Sequence, residues 1–466
     1  MNTNKKGSPF LIIFGAILIV FGLSFVSWST LSCKRVKDYN MLSELFPESV
    51  KATAEEIIDP ELAAALAELN AHSADTTTTV ALSEVVEEKE ETIVPKQFTG
   101  NTDIDGTVIF EDYTPSGAGL QHLSKALARA ESQPVRIGVI GDSYIEGDIL
   151  TMNMRETLQS RYGGAGVGYM PAFSELTGFR TTVTQKCNDS WHHHEIRKNM
   201  SDGMKTIQGE YYTSNGNGEV SYAGTSAFPH LKNWDKSMVL AVAPSGGTVS
   251  IVTDAGEENA ELLPGEQVQA VVLPGHTSNA KIKASNGVDV LGVYLDSTTG
   301  VSVDNMSLRG NSGQTHRKLS VDRASQMRKF VDYDLIIVEY GINALSSQQS
   351  NYTGYKNLMR QTLTRLKECY PEADIVMMGI GDRGQKIGGV VKSIPTSQNM
   401  VDAQRSAAME AGVLFWDTRQ AMGGEDSVVD WREKGFINSD YIHLNAKGGR
   451  ALSELFIKAL NKNLAH

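Results

Sequence analysis

Ser143, His443, Asp440 and Asn343 are the residues whose types and settings permit nucleophilic acyl chemistry. That chemistry needs a hydroxyl, an imidazole to take its proton, a carboxylate to orient the imidazole, and donors to meet charge on the carbonyl oxygen. Ser143 stands in Gly141-Asp142-Ser143, after a nearly continuous β-branched run (Val135, Ile137, Val139, Ile140) and before the helical spacing of Leu150, Met154 and Leu158. A serine at such a strand-to-helix turn has its hydroxyl lifted clear of the sheet, close to backbone N–H groups. Asp440 and His443 lie in Asp-Tyr-Ile-His, immediately before a helix that Asn445 caps, so one loop can hold both. Asn343 follows an apolar strand over 334–340, at the carboxyl end where α/β sheets place their ligands. Gly313, within Arg309-Gly310-Asn311-Ser312-Gly313-Gln314-Thr315, offers a backbone N–H, and Gly310 is one loop slip away.

The elements around these residues alternate. After the strand and helix that carry Ser143, apolar runs at 334–340, 374–378 and 413–416 read as buried strands, and helical faces fall at 355–370, 403–411 and after Asn445. Alternating β and α predicts an α/β fold, a parallel sheet with helices on both faces. Between 171 and 302 the texture changes to short β segments (205–212, 238–243, 248–253, 267–273 and 288–295) separated by Gly, Asn, Pro and Ser clusters. This predicts an all-β, sandwich-like insertion that splits the catalytic module into 98–170 and 303–466.

Residues 10–31 carry no charge and are long enough for a hydrocarbon core of roughly 30 Å, so 1–37 reads as a membrane anchor with one transmembrane helix. Lys5 and Lys6 precede it and Lys34, Arg35 and Lys37 follow it, which leaves its orientation open. Residues 38–97 read as a flexible tether, with a short helix from Asp59-Pro60-Glu61 to about Ala71 and otherwise a solvated spacer. The 466-residue chain is 41% hydrophobic with a net charge of -12, which argues against nucleic acid as a partner. Its three cysteines form no CxxC pair, and no metal or other cofactor is indicated. His192, His193 and His194 are consecutive, and so point in different directions rather than converging on a metal. Asp382 and Arg383, after a strand, line the cleft or form a solvated turn. Gly163-Gly164-Ala165-Gly166 lacks the Lys-Ser/Thr ending of a phosphate loop.

The order Gly-Asp-Ser, glycine loop, Gly-x-Asn and Asp-x-x-His resembles the SGNH (GDSL-type) hydrolase superfamily over about 134 to the end, with Tyr144 in place of the leucine of the GDSL name and Ala344 where Asp is common. The resemblance implies a flavodoxin-like parallel sheet, a Ser143 nucleophile, a His443 base, an Asp440 partner, and an oxyanion hole from the Ser143 and Gly313 N–H groups and the Asn343 side chain. No Gly-x-Ser-x-Gly surrounds Ser143, so the α/β-hydrolase elbow is absent. The insertion, together with Gly-Asp-Ser-x-x-x-Gly-Asp and the later Arg-Tyr-Gly-Gly-Ala-Gly, is similar to cell-envelope esterases that remove O-acetyl groups from peptidoglycan. That implies an acetylated cell-wall glycan as substrate and a catalytic domain in the periplasm or otherwise outside the cytoplasm. An acetyltransferase using the same triad and a non-catalytic glycan-binding scaffold are the alternatives.

Overall fold

The apolar runs pair as a parallel sheet in the computed structural model, which describes residues 60–75, 102–115, 117, 119–175 and 179–464. Its five parallel strands are, in chain order, Pro134–Gly141, Gly300–Ser307, Leu335–Glu339, Asp374–Met378 and Leu414–Trp416. In space Gly300–Ser307 lies outside Pro134–Gly141, and the others follow on the opposite side. This is the 2-1-3-4-5 order of a flavodoxin-like sheet. The two-residue strand Glu111–Asp112 closes one edge antiparallel. Alternate residues face opposite layers: Ile137, Val139 and Ile337 pack with the helices Thr151–Tyr162 and Ala446–Leu464, while Ile140, Ile336 and Val338 pack with Thr353–Cys369 and Ser397–Ala411. Burial on both faces explains why Leu335–Glu339, Asp374–Met378 and Leu414–Trp416 read as nearly continuous apolar runs.

The insertion is a two-sheet sandwich. Five strands (Gly256–Leu262, Gly247–Thr253, Asn279–Ser285, Asn217–Gly224 and Val183–Cys187) face a second sheet built from Gly265–Thr277, Trp234–Ala243, Asp289–Asp296, Glu210–Ser214 and Trp191–Glu195. Its limits differ from the expected 171–302. Gly168–Met170 already pairs with Asp289–Asp296, and position 302 falls inside a strand of the parallel sheet. The expected strand 205–212 begins only at Glu210; Ile207 and Gln208 are buried in a loop, whose inward side chains mimic strand alternation. The second sheet is covered on both faces, because Met238, Leu240, Val242 and Tyr294 join the cluster that includes Met306 and Tyr333 of the catalytic part. At this seam buried Arg136 binds Asp304 at 2.8 Å and also Asp296, which Lys236 meets at 3.1 Å.

Among the described residues no helix is long and apolar enough to cross a membrane, and the expected span at 10–31 lies outside them. The tether helix is Pro60–Asp75. It is no free spacer over its first turns: Leu62 and Ala65 are buried, and Glu68 binds Arg317 at 2.7 Å. Among the described residues Cys187 and Cys369 form no disulfide.

The last helix brings His443 toward the serine. Asn445 Oδ1 caps it by accepting the N–H groups of Lys447 and Gly448, at 2.9 and 3.2 Å. A Cβ on Gly449 would stand 2.0 Å from the carbonyl oxygen of Ile149, so only glycine lets the helix start rest on the segment that follows Ser143. Gly449→Ala is therefore expected to cost about 1–3 kcal/mol by overpacking and to lower turnover by displacing the His443 loop. Urea unfolding and esterase kinetics check this; wild-type values for both would contradict it.

Candidate active site

Ser143 and Asn343 sit at the carboxyl ends of two neighbouring strands, Pro134–Gly141 and Leu335–Glu339, where the strand order reverses. Gly141 ends the first strand, and the chain turns at once, with the Ile145 N–H on Asp142 O. His443 reaches the serine from a tight loop. That loop is closed by an isolated bridge between Ile437 and Leu444 and by the Asn438 N–H donating to His443 O at 2.9 Å. Tyr441, at φ 58°, takes the left-handed conformation that folds Asp440 and His443 onto each other.

The expected triad is assembled. Ser143 Oγ lies 3.0 Å from His443 Nε2, and His443 Nδ1 lies 2.8 Å from Asp440 Oδ2. Asp440 Oδ1 accepts the N–H groups of Ile442 and His443 at 2.9 and 3.0 Å. Burial pushes the Asp440 carboxyl up, but these bonds and the imidazole outweigh it and hold the group below its ordinary value. An ionised Asp440 fixes the proton on Nδ1 and leaves Nε2 to accept from the serine hydroxyl.

On the oxyanion side two of the three expected donors, Gly313 N–H and Asn343 Nδ2, already hold acceptors within the protein. Gly313 N–H donates to Asn311 Oδ1 at 2.8 Å, so an acceptor already occupies it, and the Gly313 carbonyl receives the Thr362 hydroxyl. Gly310 N–H, the alternative, has no hydrogen bond among the described residues. Asn343 Nδ2 donates to Asp142 Oδ2 at 2.7 Å and to Asn311 O at 3.2 Å. Asn311 thus sits between both side donors, binding one and occupying the other.

Sequence reasoning missed a buried acid pair beneath the nucleophile. Asp142 is fully buried, and its Oδ1 accepts Tyr144 N–H at 2.9 Å. Burial pushes its carboxyl up to about 7, against the lowering effect of Tyr144 N–H, His443 and Asn343. Glu339 is buried beside it; burial and the Asp142 charge raise it well above its ordinary value, and its Oε2 has no partner among the described residues. The available signal was a glutamate ending an otherwise apolar strand, Leu335-Ile-Ile-Val-Glu339.

The other candidates lie elsewhere. Asp382 is buried and ties Ser393 Oγ, Arg419 Nε and Val428 N–H together, so it neither lines the cleft nor forms a solvated turn. Arg383 donates to Ile342 O, next to Asn343. His193 stacks on Tyr212 and pairs with Glu210 at 3.2 Å, while His194 stacks on Tyr211.

A nucleophile, base and carboxylate in hydrogen-bonded series at the switch point of this sheet are the arrangement of a serine esterase site. Residues 279–451, which hold Gly313, Asn343, Asp440 and His443, match the GDSL-like Lipase/Acylhydrolase family. The fold is similar to a solved structure of a peptidoglycan O-acetylesterase in action, with TM-score 0.63, 21% identity, and coverage of 76% of this chain and 99% of that one. Lower likenesses include a Bacillus subtilis protein, YXIM (TM-score 0.31, 13% identity, 60% of this chain and 90% of that one), and a family two carbohydrate esterase from Cellvibrio japonicus (0.26, 10%, 61% and 98%). No curated protein matches the sequence.

The acid pair gives a pH signature. A carboxyl whose folded pKa is raised contributes most to stability below its unfolded value, about 4.3 for Glu, and loses that contribution as pH climbs toward the folded value. Glu339→Gln cannot ionise. Its Tm relative to wild type is expected to rise between pH 5 and pH 8; a difference that stays constant with pH would contradict the assignment.

Proposed function

We propose that this chain is a membrane-tethered carbohydrate O-acetylesterase that acts on a cell-envelope glycan, with acetylated peptidoglycan as its substrate. The carrying observation is the Ser143–His443–Asp440 relay at 3.0 and 2.8 Å. The substrate class is supported by the likeness to a peptidoglycan O-acetylesterase, which covers 76% of this chain and 99% of that one. The uncharged stretch 10–31 anchors the chain, and the catalytic part stands outside the cytoplasm, where such a glycan is found.

Ser143 Oγ attacks the acetyl carbonyl while His443 Nε2 takes its proton, and Asp440 steadies the resulting imidazolium. The charge that develops on the carbonyl oxygen is met by Ser143 N–H and by an Asn343 N–H that turns from its present acceptor. Gly313 N–H joins them by exchanging Asn311 Oδ1 for the oxyanion. His443 then gives its proton to the departing sugar oxygen, and water, deprotonated by the same imidazole, releases acetate from the acyl-serine.

Acetate release from O-acetylated peptidoglycan tests the reading. Wild-type protein is expected to release it and Ser143→Ala to release none; equal release by both, or none from wild type, would overturn it. Adding His443→Ala to Ser143→Ala is expected to cost little more, because base and nucleophile act as a unit. Asn343→Ala is expected to lower kcat by about 10² to 10³ with little change in KM, since its donor is matched to the transition state.

A further inference from the structure

Beside the nucleophile turn the sandwich and the catalytic sheet enclose a cleft of ≈ 330 Å³, within the roughly 300–1,000 Å³ of ligand sites. It abuts the nucleophile turn through Glu146 and Gly147, three and four residues beyond Ser143, and through Leu308, whose N–H holds Gly141 O at 2.8 Å. Phe179, supplied by the insertion, lines it while 48% exposed. The ring lies directly on the nucleophile segment: a Cβ on Gly147, at φ 66°, would stand 2.6 Å from it. A large apolar ring held against backbone, yet open to solvent, is a surface on which another flat apolar face can settle.

The polar groups around it are planar and already fixed in opposite-charge pairs. Glu146 meets Arg309, Glu195 meets Arg197, and Glu210 meets His193 at 3.2 Å with the imidazole stacked on Tyr212. Paired charges leave little net field to attract an ion, but their remaining lone pairs and N–H groups suit hydroxyls, and their prior order lowers the entropy cost of binding. Arg180, also in the lining, has an Nη2 without an acceptor among the described residues.

We propose that this cleft is a subsite for an uncharged pyranose next to the acylated residue on the same glycan strand, with Phe179 as the stacking platform for the C–H face of that ring. The inference rests on the glycan esterase reading and assigns the part of the substrate that lies beyond the reacting ester. Phe179 is a specificity determinant and takes no part in the chemical step.

Two measurements on full-length wild type, Phe179→Ala and Phe179→Tyr test it. The first is hydrolysis of p-nitrophenyl acetate and of O-acetylated glycan strands; the second is calorimetric binding of a β-1,4-linked N-acetylglucosamine tetramer, which carries no ester. Phe179→Ala is expected to raise KM for the strands and Kd for the tetramer by about tenfold, with p-nitrophenyl acetate turnover within about twofold of wild type. Phe179→Tyr is expected to retain both affinities. Equal losses on both esters, or unchanged KM and Kd, would overturn the subsite. If wild type released no acetate from the strands, the esterase reading would fall, while Phe179-dependent tetramer binding would still support the subsite and absence of binding would overturn it.

Discussion

The hydrogen bond between Ser143 Oγ and His443 Nε2 joins residues 300 positions apart, and the rest of the fold fixes its two ends. One end is set by the parallel sheet, whose buried central strand stops at Gly141 so that the serine is presented at the switch point. The other is set by the last helix, which must lie close enough for the loop before it to reach that turn. Gly449 against Ile149 O and the Asn445 cap set that approach. A loop displaced by even an ångström would lengthen a bond whose value depends on geometry.

Under this bond lies a costly feature. Two carboxyls, Asp142 and Glu339, are buried together where hydrophobic side chains would be more stable. Asp142 orients Asn343 and receives Tyr144 N–H, so it sets the site's geometry directly, and its charge adds to burial in holding the Glu339 carboxyl well above its ordinary value. Strain and burial of this kind concentrate at functional sites, where stability is exchanged for preorganisation. The Asn311 side chain belongs to the same network: its Oδ1 accepts Gly313 N–H and so keeps that backbone donor satisfied.

Much of this was legible in the residues. Strands buried on both faces leave continuous apolar runs, and Asp374–Met378 occupies the expected positions. The triad was legible because Asp440 and His443 are close in sequence and Asn343 follows a strand end. What escaped depends on tertiary contacts. The strand Gly256–Leu262 is exposed and acidic, so it carries no alternation. Docking of the helix Pro60–Asp75 depends on the surface it meets, and the commitment of Gly313 N–H depends on the rotamer of Asn311. The insertion boundary was displaced because Gly300–Ser307, whose Val301 and Val303 alternate with Ser302 and Asp304 as in a sandwich strand, belongs to the other sheet.

The central claim is that His443 activates Ser143 as a nucleophile. Labelling with a fluorophosphonate, followed by peptide mass mapping, tests it most directly. The account predicts a single adduct on Ser143 in wild type, formed far more slowly in His443→Ala. An adduct on another serine, or labelling of Ser143 at the same rate without His443, would contradict it.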